Sequence, residues 1–241
     1  MKRILFFCLL INCMSVGYSM PDPVKPKVLI MSKTNGFHHA SIPIGIKAIQ
    51  ELGNANGFDV DTTTDSLSFN DKNLRQYKAI ILLSTTGTIF GEEQKKALQK
   101  YIHHGGGIVG IHAATDCEYE WPWYNKMMGA YFESHPQQQT AQLVIVNHAH
   151  LATKSLPATW KRKDEWYNFK NISKDIQVLI TIDENSYKGG KNGSFHPMAW
   201  YHNFEGGRVF YTELGHTDES YSEPLFLQHL LGGIQYAIGS K

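Results

Sequence analysis

Three unbroken apolar runs organise the first half of the chain, at residues 27–32, 77–84 and 107–112. None alternates with polar positions, the pattern of parallel strands covered on both faces. Between them the apolar spacing lengthens to that of helices. Ile42, Ile46, Ile49 and Leu52 share one helical face over residues 42–52, with Pro43 tolerated in the first turn and Gly53 as the stop. Ala97, Leu98 and Ile102 do the same over residues 92–103, and Gly105-Gly106-Gly107 follows, where a left-handed residue can end a helix. Residues 58–64 alternate like an outer strand. In the second half, residues 142–147, 177–183, 198–203 and 208–212 read as strands and 223–238 as a closing helix. Strands alternating with helices at this spacing predict an α/β fold with a three-layer, doubly wound, mostly parallel sheet. No repeat or low-complexity segment divides residues 27–241, which we expect to form one domain.

Composition adds a leader and removes some partners. At 241 residues and 42% hydrophobic, the chain can bury a full core. Its 23 basic and 22 acidic residues, for a net charge of +1, leave no footprint for nucleic acid or an anionic membrane. A small molecule is the natural partner. Met1-Lys2-Arg3, the apolar residues 4–11 and a small-residue stretch ending at Ser19 have the three regions of a secretory signal peptide. We therefore expect residues 1–19 to be a signal peptide, 20–26 a short Pro-rich linker, and the mature protein to be exported, periplasmic or extracellular. A lipoprotein attached through Cys13 is the second choice, because Asn12 stands where a small residue usually precedes the lipidated cysteine. No later apolar stretch is long enough to span a bilayer. Cys8 and Cys13 fall in the leader, so Cys117 is alone in the domain and can form no intrachain disulfide. Flanked by Asp116 and Glu118, it also lacks the cationic surroundings of a nucleophilic thiol. The sequence leaves the oligomeric state open.

In open parallel sheets ligands bind beyond the carboxyl ends of strands, and there this chain places histidines. His38-His39 follows the first run, His112 ends the third with Asp116 just beyond, and His216 follows the last strand. His135, His148, His150 and His196 lie in loops, as does Asp164-Glu165-Trp166-Tyr167. Any one of 12 histidines is more often a hydrogen-bonded core residue than a catalyst. Three at equivalent strand ends are harder to read that way. We expect His38, His112, His135 and His216 to line one pocket at the carboxyl edge of the sheet. No HExxH or similar spacing is present, so no metal is assigned, and a divalent metal such as zinc is the less favoured reading of the histidines. Taken alone, Asp164-Glu165 reads as a solvated acidic pair beside the basic Lys161-Arg162-Lys163.

The stretch 106–112 resembles the strand and sharp turn that carry the nucleophilic cysteine of class I glutamine amidotransferases, with His112 in the cysteine's place. Residues 208–216 are similar to the strand leading to that family's triad histidine. A closer resemblance is to the trehalose-utilisation (ThuA-like) family. It is carried by 107–116, Tyr124-Asn125 with Gly129, His135-Pro136, Asp164-Glu165-Trp166-Tyr167, His196-Pro197 with Trp200, and 207–212 through Gly215-His216. Together these cover nearly all of residues 27–238. The resemblance implies a flavodoxin-like, glutamine-amidotransferase-like fold. It also implies an enzyme, whether hydrolase, lyase or isomerase, that acts on a disaccharide or its 3-keto derivative by general acid/base chemistry. The catalytic residues would be His112, His216 and Glu165. Substrate contacts would fall to His38, His39, Asp116, His135, Asp164, Tyr167, His196 and Trp200, since carboxylates accept bonds from sugar hydroxyls and aromatic faces cover the C–H side of the ring. An imidazole moves protons but forms no thioester, so glutamine hydrolysis is not expected. The alternative is a non-catalytic carbohydrate-binding or accessory protein with the same pocket.

Overall fold

Residues 24–240 are described by a computed structural model. The leader expected at residues 1–19, Cys13 included, lies outside the described residues. The chain runs β1 (Lys27–Met31), α1 (Ile42–Asn56), β2 (Asp59–Thr63), α2 (Asp71–Leu74), β3 (Ala79–Leu83), α3 (Glu92–His103) and β4 (Gly107–Ile111). Then come α4 (Pro122–Met128), β5 (Tyr131–Ser134), β6 (Gln139–Ile145), β7 (Thr159–Asp164), β8 (Asn168–Lys170), β9 (Gln177–Ile182), β10 (Pro197–Phe204), β11 (Gly207–Thr212) and α5 (Pro224–Ile238). Nine strands form one sheet in the order β2-β1-β3-β4-β11-β10-β9-β6-β7, while β5 and β8 pair separately.

The sheet is mixed rather than mostly parallel. β2, β1, β3, β4 and β11 are parallel neighbours, whereas β11, β10, β9, β6 and β7 are joined antiparallel. The change of direction has a local cause. β10 and β11 are linked by Glu205-Gly206, both at positive φ (46° and 97°), and a two-residue loop of that kind closes only an antiparallel hairpin. After four antiparallel steps β7 again points the same way as β4 and β11. The carboxyl ends of β1, β4, β7 and β11 therefore share one edge.

The apolar runs behave as expected: every residue of β3 and β4 is buried. Gly105 follows α3 at φ 84°, as the glycine triplet predicted. α1 instead continues past Gly53 to Asn56 and ends at Gly57, φ 76°. Gly53 serves another purpose, because a Cβ there would lie 2.6 Å from the Phe58 carbonyl oxygen. β7 was hidden by its basic composition. Its burial alternates, with Trp160, Arg162 and Asp164 inward and Thr159, Lys161 and Lys163 outward. Arg162 is tolerated inside because its guanidinium meets Asp164 at 2.9 Å and Glu223 at 3.3 Å.

Candidate functional site

His112 is the first residue after β4. It sits at φ 50°, a left-handed conformation that costs a non-glycine residue energy and that recurs at functional turns. A short 3₁₀ turn, His112–Thr115, follows it. The Tyr211 hydroxyl donates to the His112 carbonyl at 2.7 Å, helping to hold that turn. The side chain is fully buried, with Nδ1 2.8 Å from the Glu213 carbonyl oxygen. A carbonyl can only accept, so Nδ1 carries a proton, and in the neutral imidazole Nε2 presents a lone pair.

That lone pair faces two neighbours delivered by other strand ends. His216, four residues past β11, brings Nδ1 to 3.0 Å of it. Glu165, directly after β7, brings Oε2 to 3.5 Å of His112 Nε2 and 3.1 Å of His216 Nδ1. His39, in the loop after β1, packs edge-on against both rings, with centroids 4.8 Å from His112 and 5.2 Å from His216. One donor atom from each of the four lies within 4.8 Å of the others. His135, just past β5, reaches the other oxygen of Glu165 at 3.1 Å and is itself 43% exposed.

The electrostatics follow from this crowding. Burial pushes the Glu165 carboxyl upward, but hydrogen bonds to His112 and His216 and their charge outweigh it and hold the group below the usual carboxylate range. Burial lowers His216, yet the hydrogen bond and charge of Glu165 outweigh that and leave it raised. Burial, with His112 and His216 alongside, depresses His39 to about 3, so this imidazole is neutral. Glu213, fully enclosed, is pushed well up by burial and by Asp164. Its Oε1 accepts from the Tyr167 N–H at 3.1 Å, and Tyr167 lays its ring 4.5 Å from His112.

A family model for trehalose utilisation matches residues 27–237. The chain belongs to the trehalose-utilisation (ThuA) family. A solved ThuA-like protein of Bacteroides uniformis shares 26% identity with it at a TM-score of 0.75, covering 92% of this chain and 95% of the other. One from Parabacteroides merdae shares 22% at 0.74, covering 89% and 90%. A GMP synthase protein of Thermoplasma acidophilum shares the fold at 13% identity and a TM-score of 0.52, covering 89% and 96%. No curated protein matches the chain.

Within this ThuA-family site the structure sorts the residues chosen from sequence. His112, His216, Glu165, His39, His135 and Tyr167 come together. His38 does not join them: it is exposed and bonds Thr34 Oγ1, while the adjacent His39 turns inward. Asp116 is half-buried at the side, accepting from Tyr119 at 2.7 Å. Asp164 is fully buried and braces the loops, accepting from the backbone N–H of Glu165 at 3.0 Å and of Gly215 at 3.1 Å. His196 is spent on Glu184 (2.7 Å) and the Tyr167 carbonyl (2.7 Å). Trp200 is core, donating to Met128 O at 2.8 Å and packing on Tyr211. Phe37 gained no role from sequence, although Gly36-Phe37-His38-His39 contains it. It is 64% exposed and its ring meets His39 at 4.8 Å.

A cavity of about 390 Å³ lies at the opposite edge of the sheet, among Tyr77, Lys78, Lys100, Tyr101 and Arg208. We place the chemistry at the histidine cluster. The cavity's best-placed cations are already engaged, Arg208 with the Tyr236 and Ala237 carbonyls and Lys100 with Asp71.

Proposed function

We propose that the chain is a carbohydrate-processing enzyme acting on a disaccharide or its 3-keto derivative, with His112, His216 and Glu165 at its reacting centre. The observation that supports it is the convergence of an ionised carboxylate and three imidazoles, brought from four separate strand ends, in a chain of the trehalose-utilisation family. A ketone acidifies the C–H bond beside it. His216, its Nδ1–H held between His112 Nε2 and Glu165, polarises the ketone oxygen, and Glu165 takes the proton, which His135 passes to solvent from the other carboxylate oxygen. Phe37, exposed beside His39, offers an apolar face to the ring, and Asp116 an acceptor for a hydroxyl.

A panel of trehalose, related disaccharides and their 3-keto forms, followed by chromatography and by deuterium uptake beside the ketone, tests the reading. Turnover of a keto form supports it. Binding without turnover points to the accessory carbohydrate-binding reading, and neither binding nor turnover removes both. The same preparation is expected to release no ammonia from glutamine. Cys117 is fully buried, its thiol pushed up by burial and by Glu118, and it donates to Gly87 O at 3.0 Å.

A further inference from the structure

We infer that His39, His112, Glu165 and His216 bind one divalent transition-metal ion of the zinc class. This departs from the metal-free site expected from sequence. It deepens the carbohydrate reading only in what the ion would do there, since metal binding requires no sugar.

The spacing of the donor atoms is the first argument. His112 Nε2 and His216 Nδ1 are 3.0 Å apart, His216 Nδ1 and Glu165 Oε2 3.1 Å, and His112 Nε2 and Glu165 Oε2 3.5 Å. Bonds of about 2.0–2.2 Å to nitrogen and oxygen give a tetrahedron edges of roughly 3.3–3.6 Å. The triangle needs to open only slightly to receive an ion. His39 supplies the fourth corner, since all four donor atoms fall within 4.8 Å of one another.

Proton accounting is the second. His112 Nδ1–H is committed to the Glu213 carbonyl, so the neutral imidazole has only a lone pair to offer at Nε2. The Glu165 carboxylate likewise only accepts. A single N–H on His216 Nδ1 would have to serve both, at 3.0 and 3.1 Å. His39 adds a buried Nδ1 with no hydrogen-bond partner among the described residues, on a side chain 3% exposed. With the imidazoles neutral, the donor atoms converge on one point with at most one proton to share, an arrangement poorly satisfied by hydrogen bonds and well satisfied by a cation.

The surroundings are those of a built site. Metal-bound histidines commonly donate their second N–H to a backbone carbonyl, as His112 does to Glu213. Glu165 keeps its second oxygen on His135. Asp164 ties together the backbone beside two of the ligands through Glu165 N and Gly215 N. Three imidazoles and one carboxylate select zinc-class ions over magnesium or calcium, which prefer oxygen donors. The sequence concealed this because the four ligands come from four loops, so no fixed short spacing links them. In the carbohydrate reading such an ion would supply Lewis acidity to a ketone oxygen arriving as a fifth ligand, while His135 would keep its place on the second oxygen of Glu165.

The full chain, freed of metal by a chelator and titrated with Zn²⁺ and Co²⁺, decides the matter through metal content and the visible spectrum of the cobalt form. One ion per chain is expected, with a tetrahedral cobalt spectrum. His216→Ala and the near-isosteric Glu165→Gln should each weaken binding by at least about 100-fold. A folded chain that takes up neither ion would overturn the proposal, and so would uptake unchanged in both variants. Should His216→Ala fail to fold, the Glu165→Gln measurement suffices by itself. Metal bound with no keto-sugar turned over removes the enzyme reading and leaves the site, whereas turnover by a chain that binds no metal does the reverse.

Discussion

His112→Ala is expected to lower turnover of a 3-keto disaccharide by about 100-fold to 10,000-fold, the range a positioned acid/base or polarising group contributes. The residue meets both other catalytic candidates through Nε2, and alanine leaves nothing there to hold a proton or an ion. A stability cost accompanies the loss. His112 is fully buried and its Nδ1 satisfies the Glu213 carbonyl, so truncation leaves a buried acceptor unpaired, about 1–3 kcal/mol. The sequence alone suggests a smaller cost, because a residue at a strand-end turn is expected to project into an open pocket. Turnover and melting temperature should be measured together. His112→Asn is the companion variant, since asparagine tolerates positive φ. A folded variant of either kind with full turnover would take away the central residue of the enzyme reading.

The parts of the fold that were legible are those whose burial is uniform. β1, β3 and β4 are covered on both faces, so their composition alone names them, and histidines at their carboxyl ends fall on one edge by topology. What was hidden depends on direction. His38 and His39 are adjacent and chemically equal; which one turns inward is decided by loop conformation, and only His39 is buried. Trp200 and His196 sit in and beside β10, most of which is buried, so no polar alternation reveals which face each side chain takes. Asp164 and Glu165 illustrate the same limit. They straddle the end of β7, and the strand's inward register assigns Asp164 to the brace while Glu165, one residue on, enters the cluster. Glu213 stood in plain view before Leu214-Gly215-His216, but nothing in the sequence marks a carboxyl as fully enclosed.

Acidification is expected to destabilise the fold through His229, on α5. This imidazole is fully buried beneath β11, its Nδ1 donating to Ala152 O at 2.9 Å and its Nε2 3.1 Å from Thr212 Oγ1. Burial depresses it to about 4; the bond to Ala152 opposes this, while the charges of Arg162 and His150 add to it. The unfolded chain takes up the proton from about pH 6.5 downward, and the native chain only near 4, so below 6.5 the unfolded state binds more protons. Stability therefore falls as pH falls through that window and levels off below the native value. The full difference is about 3 kcal/mol, of which about 2 should be lost by about pH 5. His150, also depressed to about 4 by burial, acts in the same direction, so the test is a difference. Urea denaturation of the wild type and of His229→Gln, each near neutral pH and near pH 5, isolates the contribution, because the amide can still donate to Ala152 O but does not titrate. The wild type should lose about 2 kcal/mol more than the variant across that interval. Equal losses in the two proteins would show that His229 takes up its proton as readily in the fold as outside it.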